Sequence, residues 1–527
     1  MRFAPPITLA EHVSRHAASQ PDSCAVLLRG AVVDYRSLDR LARSLEAGLR
    51  RLGIGAGDVL AVQLPNSLEF IVTLLAATRL GAITQTVHMP YRRAELSSLL
   101  EHSRARAFIG LSQFKDASPV QTMLDLKAQA DPASSPLEHV IAVGETFAGS
   151  HAWEALCQVE PGTGPGAQDI DAPYVLLYTS GTTTSPKGIL TSARRFIGNA
   201  SQAVDELNYS ASDVVLSAAP FTHLYGLFVL QCALVSGASI SLLAAFSPAE
   251  LIDTVRRDRP TVIFAGPAHF KPLIDQNLMQ PAEFAPTRLI CLSGTTVPPA
   301  LARAVETRLL AGVVIQLWGM SELQAGSYGR PGDSASIRHE TAGRAAPEIQ
   351  LQVVGDDNQP LPRGQEGRLR VQGPSVFNGY LNNVAESRAC LQDGWFDTGD
   401  TAVLRDDDGL VITGRVKELI NRGGIKFNPV DIEALLDLVP GVGRCILAPM
   451  PDPVLGERTC AFVQRDGRAE VTLEALLQAL DAAGVAKFKW PERLEFVTEF
   501  PVTPTQKVRR AVLTSSLGAN RLKGVSS

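Results

Sequence analysis

The chain lacks the marks of several large protein classes. It carries no excess of positive charge: 49 Lys and Arg stand against 54 Asp and Glu, giving a formal net charge of −5. A basic face for nucleic acid is therefore not expected. Its seven cysteines (Cys24, Cys157, Cys232, Cys291, Cys390, Cys445 and Cys460) lie far apart, and no pair has metal-site spacing. An odd, scattered set fits a reducing compartment and excludes a disulfide framework. There is no internal repeat and no low-complexity tract. Pro5, Pro6 and Glu11 interrupt the N-terminus where a secretory signal needs an apolar core. The ending Gly524-Val-Ser-Ser527 carries no lipidation or peroxisomal address. A cytoplasmic location is expected. From His223 to Ala249 there is no Asp, Glu, Lys or Arg, but Gln231, Ser236, Gly237, Ser239 and Ser241 break the run. It reads as a buried helix over Phe228–Val235, stopped by Gly237, then a strand from Ala238, and no membrane span is expected.

What is present is ample core. With 527 residues, 45% of them hydrophobic, two or more domains are expected. Leu38, Leu41, Leu45 and Leu49 recur at helical spacing, the strand Val59-Leu-Ala-Val-Gln-Leu64 follows, and a second helix from Ser67 to Leu80 ends at Gly81. This βα rhythm returns at 174–207, 213–243 and 261–318, and implies a mainly parallel sheet covered by helices. Residues 131–171, rich in Pro, Gly, Ala and acidic residues, read as a long surface connection. From 348 to 414 short alternating runs between Gly, Pro and Asp turns predict a small antiparallel β unit. Beyond Gly414 about 110 residues carry their own helices (430–438, 473–483) and strands (445–448, 460–463). The fold class is thus α/β: a large N-terminal domain of βα-type sheets with a small β unit, then a small α+β C-terminal domain.

The most informative stretch is Tyr178-Thr-Ser-Gly-Thr-Thr-Thr-Ser-Pro-Lys-Gly188. A strand-length apolar run, Tyr174 to Leu177, opens into hydroxyls, glycine and one lysine. Backbone N–H groups and hydroxyls there can donate to phosphate oxygens, and the ammonium adds charge. The common nucleotide loop needs Gly-Lys followed by Ser or Thr, whereas Gly188 follows Lys187, so a kinase or ATPase of that type is disfavoured. Six further stations follow in order. They are Pro220-Phe-Thr-His-Leu-Tyr-Gly226, Ser293-Gly-Thr-Thr296, Trp318-Gly-Met-Ser-Glu322, Asp397-Thr-Gly-Asp400, the run from Gly414 through Arg415 and Lys417 to Asp431-Ile-Glu433, and Pro501-Val-Thr-Pro-Thr-Gln-Lys507.

Together these stations resemble the adenylate-forming superfamily, which includes acyl-CoA and aryl-CoA ligases, peptide-synthetase adenylation domains and luciferases. The resemblance runs from Tyr35 to Lys507 and is nearest the coumarate-CoA and medium-chain acyl-CoA ligase branches. It implies attack of a carboxylate on the α-phosphorus of ATP, loss of pyrophosphate, and transfer of the acyl group to a thiol. The carboxylate is already ionised at neutral pH and needs no general base. The protein's task is to align reactants and offset concentrated negative charge.

Residue by residue, the resemblance implies that Thr179, Ser180, Gly181, Thr182, Thr183 and Lys187 form the phosphate loop. Glu322 would hold Mg²⁺, and Ser321 would contact the α-phosphate. Asp400 and Arg415 would reach the ribose. Gly294, Thr295, Thr296, Trp318 and Gly319 would frame the adenine. Lys507 would bridge the substrate carboxylate and the α-phosphate. Residues 1–414 would bind nucleotide and acid, 415–417 would be the hinge, pivoting at Lys417, and 418–527 the mobile domain. A large rotation would withdraw Lys507 and bring Gly423 and Gly424 beside the pantetheine arm of coenzyme A. His223, Leu224, Gly319 and Met320 would line the acid pocket. For His223 a hydrogen-bonded core role competes with that reading. Glu322 as a surface carboxylate, Asp400 as a turn residue and Lys507 as a solvated lysine are the alternatives at those positions. His12 and His16, four apart on a helix, read as surface residues.

Two positions depart from the family: Thr184 and Gln506 stand where glycine is usual, which bears on the adenylation rate. Amino-acid activators of the family often carry Asp where Leu224 falls. With Phe264, Phe270 and Met320 as further wall candidates, the expected substrate is an aryl, alicyclic or medium-chain acid without an α-amino group. The expected acceptor is coenzyme A, with the arm of a separate carrier protein as the alternative. A nucleotide-binding sensor without turnover is the rival of another class.

Overall fold

A computed structural model describes residues 7–130, 136–164, 166–167, 169–178, 187–422, 425–452, 455–503 and 508–518. The chain divides into two compact units. The larger comprises residues 1–350, 371–396 and 407–409, and the smaller 351–370, 397–406 and 410–527. The smaller unit thus takes in segments upstream of 415–417.

The larger unit contains two sheets. One runs in the order His151–Ala152, His139–Val143, Ala107–Leu111, Val59–Gln63, Ile83–Thr86, Pro173–Tyr178, Gly188–Ser192. All neighbours are parallel except the last pair, where Tyr178 lies opposite Gly188. The second sheet has nine strands. Six parallel strands form its middle, in the order Val313–Met320, Leu289–Leu292, Val262–Ala265, Val214–Ser217, Ser239–Ser241, Cys24–Leu28. Antiparallel strands complete both edges. Strands covered on both faces need apolar residues in succession rather than in alternation. Val262–Ala265 and Leu289–Leu292 are buried at every position.

The helix signals read from sequence are met by real caps. Ser67 Oγ accepts from Phe70 N (3.3 Å), and Gly81, at φ 71°, ends the helix Leu68–Leu80. The uncharged segment folds as Leu224–Ser236, with Leu224 through Leu234 all buried, and Gly237 at φ 76° closes it. A side chain at that φ would be strained, which is why glycine stops this helix. Among the described residues no helix is long and apolar enough to cross a membrane.

Two expectations are corrected. The stretch 131–171 is not simply a surface connection: its described part includes the parallel strands His139–Val143 and His151–Ala152 and a short helix, Trp153–Leu156. Val140-Ile-Ala-Val143 is a short apolar run whose signal was diluted by polar flanks. His12 and His16 are half-buried rather than surface residues. His16 Nε2 lies 3.2 Å from Val235 O, and burial lowers the His12 pKa to about 4. Their helix, Leu9–Ser19, packs against Leu224–Ser236, a tertiary contact that spacing alone does not reveal.

The small β unit foreseen over 348–414 is present, with strands Gln350–Val354, Glu366–Gln372, Trp395–Leu404 and Leu410–Arg415. The last two pair antiparallel. Further along, Val442–Asp452 and Gly456–Arg465 form a long hairpin covered by the helices Pro429–Leu436 and Leu473–Ala482. Ile420, Phe427, Leu436, Leu447, Leu476 and Leu480 share its core. Arg510 donates to both carboxylate oxygens of Glu433, to Leu447 O and to Glu418 Oε2. It ties the helix Arg510–Gly518 to this hairpin.

A buried ion pair anchors the larger unit. Arg79, with only 4% of its side chain exposed, donates to Glu46 Oε2 at 2.6 Å. Removing one partner leaves an uncompensated buried charge, which costs about 3–5 kcal/mol. Glu46→Ala is expected to lower the stability of this unit by that order. Glu46→Gln is expected to lose less. Urea unfolding of the variants checks both.

Candidate active site

Parallel strands leave their carboxyl ends unpaired, and loops there can converge on a ligand. Four of the sequence stations follow such ends: 179–187 after Pro173–Tyr178, 220–223 after Val214–Ser217, 293–296 after Leu289–Leu292, and 318–322 at the end of Val313–Met320. Thr179, Ser180, Gly181, Thr182 and Thr183 lie outside the described residues, as do Thr184, Gly423, Gly424, Gln506 and Lys507. Of Lys417 the backbone is described, in the short turn Val416–Glu418.

Within the larger unit Lys187 and Glu322 are joined through one residue that the sequence reading passed over, Tyr380. Its phenol donates to Glu322 Oε1 at 2.9 Å. The Lys187 ammonium sits 5.1 Å from the centre of the same ring and donates to Glu386 Oε1. Cation and carboxylate are thus held on one aromatic side chain. Burial and the Glu322 charge push the Tyr380 phenol well above its ordinary value, so it stays a donor. The 376–387 segment is fixed by main-chain bonds. Phe377 N donates to Glu322 O (2.7 Å), Leu381 N to Gly188 O (2.7 Å) and Tyr380 N to Ser387 Oγ (2.8 Å). Phe377-Asn-Gly-Tyr380, two aromatics around a glycine in a loop, was the available signal.

Glu322 is only 5% exposed. Trp318 sits where the strand Val313–Met320 meets Gln324–Tyr328 with a register shift at Trp318/Gly319. The Trp318 ring lies over Gly326, where a Cβ would come within 2.4 Å of it. Gly319 is required by close approach: a Cβ there would fall 1.9 Å from Gln324 O. Met320 and Ser321 are half-buried, while Gly294, Thr295 and Thr296 are exposed. Gly294 is at φ 91° with open space around it.

His223 caps the helix Leu224–Ser236: its Nδ1 accepts from Tyr225 N at 3.2 Å. Its ring also stacks on His88 at 6.1 Å. His88, not foreseen, is 6% exposed, and its Nδ1 lies 3.1 Å from Thr222 Oγ1. Leu224 is buried (6%), and Tyr225 donates to Cys291 O at 2.9 Å. Phe264 packs against Tyr225 and Phe228, and Phe270 belongs to a core cluster with Leu216 and Ile263. In the smaller unit Asp400 lies opposite Arg415 on paired strands, and Arg415 Nε approaches Asp400 Oδ1 to 3.0 Å. Asp400 is 3% exposed.

The donor set fits one hard cation carried in with phosphates. Among the described residues no cluster of three His, Cys, Asp or Glu could cage a metal. A magnesium ion held by one or two carboxylates and substrate oxygens needs no such cage, and Glu322 is a buried carboxylate of that kind.

Residues 13–381 match the family model described as AMP-binding enzyme, and 431–507 its C-terminal domain. The chain belongs to this family, in the acyl-CoA ligase branch of the adenylate-forming superfamily. It is 33% identical over 530 residues to the salicyl-AMP ligase / salicyl-S-ArCP synthetase of Mycobacterium tuberculosis, covering 97% of this chain and 91% of that one. It is 32% identical over 519 residues to the indoleacetate–CoA ligase of Aromatoleum aromaticum (95% and 96% covered). With the medium-chain fatty-acid–CoA ligase of Escherichia coli it shares 29% over 518 residues (97% and 90% covered). Among solved structures it is similar to ATP-bound MatB from Rhodopseudomonas palustris, at TM-score 0.87 and 25% identity over 97% of this chain and 99% of that one.

Two outcomes follow. Tyr380→Phe removes the donor on Glu322, a bond to a charged group worth about 1.5–3 kcal/mol, and is expected to slow ATP–pyrophosphate exchange roughly tenfold or more. Burial lowers the His88 pKa to about 4, so the folded state resists protonation that the unfolded chain accepts below about 6.5. The stability this ring contributes is complete above pH 6.5 and is lost as pH falls towards 4. The difference is on the order of 3 kcal/mol. His88→Gln is expected to flatten that part of the stability–pH curve, measured by urea unfolding between pH 7 and 4.

Proposed function

We propose that this enzyme is an AMP-forming acid–thiol ligase. It would activate a carboxylic acid with ATP to the acyl adenylate, release pyrophosphate, and pass the acyl group to coenzyme A. The observation that carries this reading is the Glu322–Tyr380–Lys187 array within a chain of this family. A buried carboxylate and an ammonium held by one ring are what a nucleotide triphosphate needs: a place for its metal and a counter-charge for its oxygens. Bound Mg²⁺ would offset phosphate charge, with Glu322 as its protein ligand. Asp400 and Arg415 would take the ribose, Trp318 and 294–296 the adenine, and Lys507 the two oxygens joined in the first step. The 415–417 hinge remains part of the proposal, with residues 1–414 and 418–527 on either side.

For the acid we propose an aryl, alicyclic or medium-chain carboxylate without an α-ammonium. Leu224, Tyr225 and Phe228 offer no carboxylate to pair with one. The salicyl, indoleacetate and medium-chain substrates in the relatives' names support this class. A carrier-protein arm as acceptor is the second reading, favoured by the relative named as a salicyl-S-ArCP synthetase.

ATP–pyrophosphate exchange across aryl, alicyclic, fatty and amino acids tests the reading. Exchange with an aryl or medium-chain acid and none with amino acids is expected, and the reverse pattern refutes the substrate class. Glu322→Gln and Lys507→Ala are each expected to lower exchange by roughly 10²–10³. Wild-type turnover in Lys507→Ala would sink the mechanism. Thioester formation with coenzyme A alone, or only with an added carrier protein, separates the acceptors.

A further inference from the structure

The larger unit has a cleft lined in part by Tyr380 itself. The cleft, of about 580 Å³, lies where the segment 378–391 meets the paired strands Pro173–Tyr178 and Gly188–Ser192 and the start of the helix Ala193–Glu206. Its apolar wall comes from Pro173, Leu190, Leu381, Val384 and Leu391, and Val384 is 63% exposed. Its charge is one-sided. Asp171 also lines it, but Arg194 engages both oxygens of that carboxylate, at 2.6 and 2.8 Å. Nearby Glu386 is engaged by Lys187. Two guanidiniums are left without an ion pair among the described residues, Arg195 and Arg388, although the Asp171 charge also acts on Arg195. Arg195 Nη2 donates to Asn378 Oδ1 at 2.6 Å, while its Nε is buried without a hydrogen-bond partner. Arg388 is exposed and has no ion pair among the described residues.

One more observation points to an anion. Thr191, 2% exposed, lines the cleft with an unpartnered buried Oγ1. Ser192, the N-cap of Ala193–Glu206, makes no side-chain capping bond, and Ile170 O accepts from Arg194 N at 2.8 Å in its place. The unmet Thr191 hydroxyl, the unmet Arg195 Nε and two arginines, set beside an apolar wall, match an anionic head with a short apolar body.

We infer that this cleft binds a small amphipathic organic anion, a carboxylate or sulfonate on an aryl or short alkyl body, and that its occupancy regulates the neighbouring nucleotide site. The coupling runs through 378–387. Asn378, Tyr380 and Ser387 line the cleft, while Tyr380 holds Glu322 and carries Lys187 on its ring. A ligand gripping this segment therefore changes how firmly the metal carboxylate and the phosphate lysine are held. Only this coupling rests on the proposed function; binding in the cleft stands apart from it.

The test uses the full chain and 1-octanesulfonate, which has no carboxylate to activate. Calorimetry should show one saturable site in the wild type, weakened at least fivefold in Arg388→Gln and in Arg195→Gln, and unchanged in the surface control Lys271→Gln. Arg388 is exposed, so its replacement does not threaten the fold. In exchange assays the sulfonate should alter the rate non-competitively with the acid substrate, and this effect should be lost in Arg388→Gln. Equal binding to wild type and both arginine variants, purely competitive behaviour against the acid, or no saturation by 10 mM each overturns the inference. Failure of exchange with every acid, alongside arginine-dependent binding, would count against the ligase reading and the coupling while the cleft site stands.

Discussion

A phenol caught between a carboxylate and an ammonium organises the larger unit's site. Tyr380 must present its hydroxyl to Glu322 and its face to Lys187 at once, and each contact depends on the other two groups being in place. In a partly desolvated setting such contacts are stronger than in water, and an unmet partner is correspondingly costly. The surrounding backbone reflects that constraint. Phe377 N, Tyr380 N and Leu381 N are all committed, and Gly188 accepts from Leu381 with only 3.2 Å left for any added Cβ.

The same economy recurs where the second sheet ends. Gly319 and Gly326 serve the irregular pairing of Val313–Met320 with Gln324–Tyr328, one because a carbonyl lies where a Cβ would be, the other because an indole does. A register shift at a strand end re-aims side chains. Here it falls at Trp318/Gly319, just before Ser321 and Glu322. His223 makes two structural contacts with one side chain: it caps a helix that is buried on every face, while its ring stacks on His88.

Much of the fold was legible from local chemistry. Ser67 and Gly81 bound a helix because one accepts from a free N–H and the other adopts a left-handed φ, and both properties belong to single residues. Glu322, Lys187 and Asp400 could be picked out because each stands in a motif directly after or within a strand. The strand His139–Val143 was not legible, since a four-residue apolar run carries too little periodicity amid polar flanks. The burial of His12 and His16 was hidden as well, because it depends on a helix more than two hundred residues away.

The sequence by itself determined the family and the βα order, and it supplied most of the groups proposed to meet a nucleotide, because those depend on residue type and near spacing. Tertiary structure alone decided that Tyr380 joins Glu322 to Lys187, that Glu386 answers the lysine, and that Arg195 and Arg388 face one cleft. These partners lie between 58 and 199 positions apart where they bond. Only the packing of strand ends and loops brings such distant groups within hydrogen-bonding range.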